Sequence, residues 1–197
     1  MLVVLGSGII GMSLGMLAAR FRGPVDTIIM RLLDILLAFP QLVLAMAITI
    51  CFGPSLASAC MGIAFGCIPV YARLMRSEAL QIQNRLFVRS ARLLGFHSFY
   101  IFTRHVIPLS APTMLVQSAA VFGSTIISLS ALGFVGLGAQ IPQPEWGAMI
   151  AEGMSFIVSG GWWIVLWPGL GLFFAVAAAN LLADGLSLRL GGEYRVS

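Results

Sequence analysis

The chain has 197 residues, of which 59% are hydrophobic and only 9% are charged, whereas roughly 25% are charged in an average soluble domain. Together with a mean hydropathy of +1.01, this composition excludes a water-soluble globular protein and predicts a helical membrane protein. The formal charge of +4 rests on eleven arginines and no lysine, which excludes an ATPase that grips phosphate through a P-loop lysine.

The first apolar run, Met1 to Ala19, carries no charged side chain and is long enough to cross a bilayer as a helix. Small residues recur in it at every fourth position, namely Ser7, Gly11, Gly15 and Ala19. Such a bare face predicts close approach of a neighbouring helix. Residues Arg20 to Arg31 are then predicted to form a short basic loop with a break at Gly23-Pro24.

Four further apolar runs follow along the chain. They extend from about Leu32 to Phe52, Leu56 to Ala72, Leu109 to Leu132 and Trp162 to Ala183. The first of these four has Asp34 near its start and a predicted kink at Pro40. Residues 1-197 are therefore predicted to form a single all-α domain, a polytopic membrane helix bundle with five spans.

Residues 133-161, between the last two spans, have a different character. Glycine and proline make them too broken for a helix through lipid, yet they are too apolar for an ordinary exposed loop. We expect an extracytoplasmic or interfacial segment that packs against the bundle.

The polar segment 73-108, here called the arginine segment, lies between two apolar runs. It holds six of the eleven arginines, at positions 73, 76, 85, 89, 92 and 104, against one acid, Glu78. This charge is too high for lipid, so the segment is expected to lie in water or against another protein. It is predicted to be a docking surface.

A helix from Asn84 to His97 within the arginine segment would place three arginines on one face, at positions 85, 89 and 92. Leu86, Leu93 and Leu94 would help to form an apolar surface elsewhere. Gly95 is predicted to end this helix. The pattern alone leaves a second interpretation open, in which these arginines only fix the membrane topology.

Arginine placement also predicts the orientation of the spans. With the arginine segment in the cytoplasm and the spans alternating, all eleven arginines fall inside, and Glu145 and Glu152 fall outside. The C-terminus with Arg189 and Arg195 is then cytoplasmic, and Met1 is outside without a charge to hold it there. We therefore expect at least one preceding helix, giving six spans with both termini in the cytoplasm.

The span interiors offer almost no ionisable groups, since Asp34 and Asp184 lie near cytoplasmic ends. Ion-coupled transport is therefore not expected, and any pumping would be driven from outside the membrane. The motifs of an intramembrane enzyme are missing from the sequence, so no catalytic residue is assigned. His97 and His105 are too few for a metal site, and neither a cofactor nor nucleic-acid binding is expected.

The run Ala91-Arg92-Leu93-Leu94-Gly95, followed after nine residues by His105-Val106-Ile107-Pro108, resembles the EAA loop of ABC importer permeases, E-A-A-x3-G-x9-I-x-L-P. Matches in the same order cover nearly the whole chain. They are Met30-Arg31 with Asp34, Ala38-Phe39-Pro40, Tyr71-Ala72-Arg73, Gly136-Leu137-Gly138, Pro144-Glu145-Trp146-Gly147, Trp167-Pro168-Gly169 and Asn180-Leu181. The chain resembles the C-type permease of the dipeptide, oligopeptide and nickel branch, a binding-protein-dependent transport inner membrane component.

This resemblance implies an ABC type I importer transmembrane domain in a bacterial cytoplasmic (inner) membrane, with membrane lipid around it. The implied partners are a second homologous permease subunit, two cytoplasmic ABC ATPase subunits and an extracytoplasmic solute-binding protein. The ATPase activity would reside in the partners, and the cargo would be a di- or oligopeptide or a nickel-type solute. By position, the residues that couple to the ATPase would be Arg89, Ser90, Ala91, Gly95 and Pro108; no substrate-contacting residue is assigned.

The sequence departs from the family pattern in two places. Arg89 stands where the family has glutamate and Ser90 where it has its first alanine, so the charge at the implied contact is inverted. The chain also begins where the second span of the family would begin. A truncated, nonfunctional permease fragment is therefore one alternative. A passive channel or ion-coupled carrier is another, which the lack of intramembrane charge disfavours.

Overall fold

The computed structural model describes residues 1-140 and 142-191. Within these ranges the regular secondary structure is entirely helical, in agreement with the all-α prediction. The helices are α1 (Leu2–Phe21), α2 (Gly23–Leu37), α3 (Gln41–Phe52), α4 (Leu56–Gln83), α5 (Leu86–Leu93), α6 (Ser98–Ile101), α7 (Ile107–Phe134), α8 (Trp146–Ile157) and α9 (Trp163–Gly191), with a π-helical turn at Phe102–Val106 between α6 and α7.

Four helices in the described ranges are long and apolar enough to cross a membrane. They are α1, α4, the continuous run Ser98–Phe134, and α9. The pair α2 and α3, bent by 85° at the break, gives a fifth span if it is counted as one. The predicted bundle of five spans is therefore confirmed with that bent pair included, and the bend falls at the predicted kink near Pro40.

Helices α1 and α4 pack side by side and run in the same direction. The small face predicted on α1 makes this contact: Ser7 and Ala19 are fully buried. A Cβ atom on Gly11 would lie 2.6 Å from the carbonyl oxygen of Ile68. The bare face thus lets two helix backbones approach closely, as predicted.

The predicted loop from Arg20 to Arg31 is wrong. Helix α2 begins at Gly23, and Arg22 alone separates it from α1. Arg22 turns the chain with a positive φ of 45°. Pro24 lies in the first turn of α2, where its missing N–H would have had no partner, so the proline starts this helix instead of breaking it.

Of the two boundaries predicted around the arginine segment, the first is also wrong. Helix α4 does not end near Ala72 but continues to Gln83, because Met75, Ala79 and Ile82 extend its buried face. The span predicted to begin near Leu109 agrees with the start of α7 at Ile107, although the continuous helical run that contains α7 already begins at Ser98. The wide π turn comes directly before the turn containing Pro108, whose ring would clash with the carbonyl four residues earlier in a regular helix.

Residues 133-161 contain the short helix α8, which packs against α7 and α9. Glu145 caps α8 by accepting hydrogen bonds from the backbone N–H groups of Gly147 (2.9 Å) and Ala148 (2.8 Å). A Cβ atom on Gly133 would collide with the Glu145 carboxylate, so this cap is packed tightly against the end of α7. With 12 residues, α8 is too short to cross a bilayer.

Candidate functional site

The outward side of α5 is apolar although the surrounding segment is highly charged. Leu86, Leu93 and Leu94 expose 80%, 89% and 77% of their surface. Arg89 and Ser90 are exposed among them. A patch of large apolar side chains with an arginine in a segment too polar for lipid is typical of a protein interaction site. We call these five residues the α5 patch.

The inward side of α5 is anchored to the helix bundle. Val88 is fully buried and belongs to a core cluster with Met75 and Ile82 of α4 and Val106 of the π turn. Ala91 is half-buried against the same cluster. Helix α5 thus packs on both α4 and the start of the α6–α7 run, which belong to two candidate spans.

The end of α5 is fixed by glycine geometry. Gly95 has a φ of +83°, in the left-handed region that favours glycine. The N–H of Phe96 donates to the carbonyl oxygen of Ala91 at 3.2 Å, and the N–H of Gly95 donates to that of Arg92 at 3.0 Å. This pair of bonds is the Schellman motif, so the predicted helix stop at Gly95 is confirmed.

Gln83 joins α1, α4 and α5 at the end of the bundle that carries α5. The sequence reasoning missed this residue. Its side chain is buried, with 3% of the residue exposed. Its Oε1 accepts from Arg92 at 2.7 Å and from Arg22 at 3.5 Å. Its Nε2 donates to the carbonyl oxygen of Ala19 at 3.3 Å. No local pattern marks a single glutamine at the end of a long helix as such a junction.

Two ion pairs fasten α2 to α4, and the sequence reasoning missed both. Arg76 donates to the two carboxylate oxygens of Asp26 through Nε and a terminal nitrogen, at 2.6 and 2.5 Å. Arg73 donates to Asp34 at 2.5 Å. The spacing offered a partial signal, since two acids eight residues apart and two arginines three residues apart can each share a helix face. It could not say which helices would meet.

Rings connect α5 to the helix that follows it. Phe87 and His105 meet edge to face with their centroids 5.8 Å apart, and Tyr100 meets His105 in the same way at 6.1 Å. Phe96 stacks on Tyr100 at 5.3 Å. These contacts place His105 within an aromatic cluster, where it supports the position of α5.

The residues predicted to couple to an ATPase fall into two places. Arg89, Ser90 and Ala91 share α5, and Gly95 lies two residues beyond its end. Pro108 lies separately, at the start of α7. Ten of the eleven arginines lie toward the same end of the bundle as α5, and Arg195 falls outside the described residues.

Comparison with known proteins identifies the family. Residues 11–195 match the binding-protein-dependent transport system inner membrane component family. The chain is 39% identical over 186 residues to the probable D,D-dipeptide transport system permease protein of Escherichia coli (strain K12), covering 94% of this chain and 62% of that protein. It is 39% identical over 183 residues to the dipeptide transport system permease protein of Alkalihalophilus pseudofirmus, covering 93% and 60%.

A third relative carries a different name. The glutathione transport system permease protein of Pectobacterium atrosepticum is 40% identical over 183 residues, covering 93% of this chain and 60% of that protein. The chain thus spans about three fifths of the length of the curated relatives it matches. The family match across nearly the whole chain confirms the resemblance first drawn from the arginine segment. This chain belongs to the binding-protein-dependent transport system inner membrane component family.

Proposed function

We propose that this chain is a membrane-spanning permease subunit of an ABC importer for small peptides. Separate ATPase subunits dock on the α5 patch, a second permease subunit pairs with this one, and an extracytoplasmic binding protein delivers the solute. The named activities of its relatives, dipeptide, D,D-dipeptide and glutathione transport, support a peptide-like cargo. The chain itself catalyses nothing in this scheme.

The observation that carries the proposal is the exposed apolar side of α5. Burying Leu93 and Leu94 in a partner groove would contribute about 1.5–3 kcal/mol each if burial were complete. The buried side of the same helix rests on α4 and the π turn. Closure of the ATPases on ATP would therefore push α5 as a rigid lever and switch the spans between outward- and inward-facing arrangements.

The bundle has a defined orientation in the membrane under this proposal. The end of the bundle that carries α5 and the arginines lies in the cytoplasm, together with the C-terminus, as the positive-inside rule requires. Arg89, in place of the family glutamate, is matched by an acidic residue in the groove of its own ATPase. Residues 133-161 lie on the extracytoplasmic side.

We expect the double substitution Leu93→Asp/Leu94→Asp to release the ATPase partner. Two buried carboxylates without partners would oppose docking, so co-purification of the ATPase and ATP-driven uptake should each fall about tenfold or more. The measurement is affinity purification from membranes together with uptake into reconstituted vesicles that are loaded with ATP. The control is Val158→Asp, which changes a residue that is 97% exposed next to α8. Full co-purification of the double variant would contradict docking on the α5 patch.

Replacing Gly95 tests whether the shape of α5 matters for coupling. Valine at a φ of +83° would cost roughly 1–2 kcal/mol and disturb the helix stop, so we expect ATP-driven uptake to fall with membrane insertion intact. Gly53→Val is the matched control, because Gly53 also has a positive φ (88°) and no atom near its Cβ position, but lies at the other end of the bundle. Equal loss in the two variants would trace the effect to general strain.

A further inference from the structure

A cleft of about 340 Å³ lies beside α5, at the end of the bundle that carries this helix. It does not include the residues of the α5 patch. Three arginines line it, Arg20 and Arg22 at the end of α1 and Arg92 on α5. Ser98 adds a hydroxyl group at the start of α6. Water occupies about 30 Å³ per molecule, so the cleft has room for a phosphate group and part of what it is attached to.

The guanidinium groups in this cleft are held in place by neutral partners. Arg22 and Arg92 both donate to the single Oε1 of Gln83, which is buried. Arg20 lies over the rings of Phe21 and Phe102, at 5.5 and 6.0 Å from their centroids. Within the described residues, no carboxylate lies within ion-pair distance of these three arginines.

This arrangement contrasts with the arginines of α4. Arg73 and Arg76 each have an aspartate partner from α2. A guanidinium has five N–H donors, and one bond to Gln83 uses only one of them. The positive φ of Arg22 adds backbone strain at the same point, a feature that concentrates at ligand clamps.

The apolar surroundings indicate what kind of anion fits. Ile10, Leu17 and Phe21 are 50%, 44% and 58% exposed and recur at helical spacing on α1, leading down to the cleft. A candidate membrane span presents such a stripe to acyl chains. An anion bound where this stripe ends would lie at the membrane surface, which is where phospholipid headgroups lie.

We propose that the cleft formed by Arg20, Arg22, Arg92 and Ser98 binds the phosphate of an anionic phospholipid, with an acyl chain along the α1 stripe. The lipid fills the junction where α1, α4 and α5 meet at Gln83 and so holds the foot of α1 against α5. Arg92 points back to Gln83 on α4, so this site and the α5 patch are separate.

The test titrates the purified protein with lipid and counts bound lipids by native mass spectrometry. The probes are phosphatidylglycerol, phosphatidylcholine and inorganic phosphate. We expect phosphatidylglycerol to bind more tightly than phosphatidylcholine. Each arginine near the surface contributes about a fivefold factor to the affinity for an anionic lipid. Arg22→Gln alone should therefore bind phosphatidylglycerol about fivefold more weakly, and the double variant Arg20→Gln/Arg22→Gln roughly 20-fold more weakly.

The matched control is Arg31→Gln/Arg104→Gln, which removes the same charge from two exposed arginines outside the cleft. It should retain phosphatidylglycerol binding, and thermal unfolding should show that both double variants are folded. If the control variant loses as much phosphatidylglycerol binding, general attraction between charges explains the binding and the proposal is overturned. Inorganic phosphate binding as tightly as phosphatidylglycerol would also overturn it, in favour of a soluble anion.

A second readout separates this site from the docking of the ATPase. Leu93→Ser/Leu94→Ser removes the apolar side chains without adding charge beside Arg92, so it should keep phosphatidylglycerol binding whether or not the ATPase docks on the α5 patch. If the Arg20→Gln/Arg22→Gln variant instead loses ATPase co-purification and keeps its lipid, the cleft belongs to the protein interface and the lipid site is refuted.

Discussion

Gly15→Val should destabilise the protein by about 3 kcal/mol or more. A Cβ atom at this position would run into the carbonyl oxygen of Ala72 and lie 2.9 Å from the Cβ of Met75. Both are atoms of α4 that cannot turn away, so the two helices must separate. Thermal unfolding in detergent, followed by circular dichroism, measures the loss.

Gly6→Val provides the control for this substitution. Gly6 lies on the same helix, and nothing lies within 4 Å of its Cβ position. The introduced side chain is identical and the helix is the same, so any general effect of valine on α1 appears in both variants. We expect Gly6→Val to change stability by less than about 1 kcal/mol. Similar losses at the two positions would mean that α1 does not pack on α4 through its glycine face.

Asp26→Asn should lower the free energy of unfolding by about 2–3 kcal/mol, because it leaves the Arg76 guanidinium without its two-point carboxylate partner. The Asp26 side chain is only 16% exposed and that of Arg76 34% exposed, so water replaces the lost bonds poorly. The charge swap Asp26→Arg/Arg76→Asp should recover part of the loss. A double-mutant cycle on thermal or denaturant unfolding measures the coupling between the two side chains.

The second ion pair of α2 supplies the comparison within the same helix pair. The side chains of Arg73 and Asp34 are 51% and 46% exposed. A solvated pair contributes about 0–1 kcal/mol, so Asp34→Asn should be nearly silent. If Asp34→Asn lowers the free energy of unfolding as much as Asp26→Asn does, solvent exposure does not decide the strength of these ion pairs. The two pairs would then stabilise the contact between α2 and α4 cooperatively.

The contacts of Gly15 and Asp26 hold α1 and α2 to α4, the helix that leads into α5. Under the proposed function, these contacts would pass a push on the α5 patch to the remaining spans. The expected order of effects on stability is therefore also an expected order of effects on transport. ATP-driven uptake measured on folded, membrane-inserted variants would check that order.

The sequence by itself determined the membrane class, the number of apolar runs, the position of the bend near Pro40 and the small face of α1. It also predicted the helix stop at Gly95 and the family. These properties are local, because hydropathy, residue size and the left-handed preference of glycine act within a few neighbouring residues. The predicted end of α4 near Ala72 failed for a related reason. Charged residues can end the part of a helix that lies in lipid without ending the helix itself. The helix continues because its backbone hydrogen bonds are internal and its buried face extends through Met75 and Ile82.

Only the tertiary structure decided which distant residues meet. Asp26 pairs with Arg76 across 50 positions, and Gln83 reaches the end of α1 across 64. Such pairs depend on the relative placement of whole helices, which is set by the total packing of the bundle and is written in no single stretch of sequence. The cleft of Arg20, Arg22 and Arg92 has the same origin, because Arg92 joins the two neighbouring arginines at the end of α1 only where α1, α4 and α5 come together.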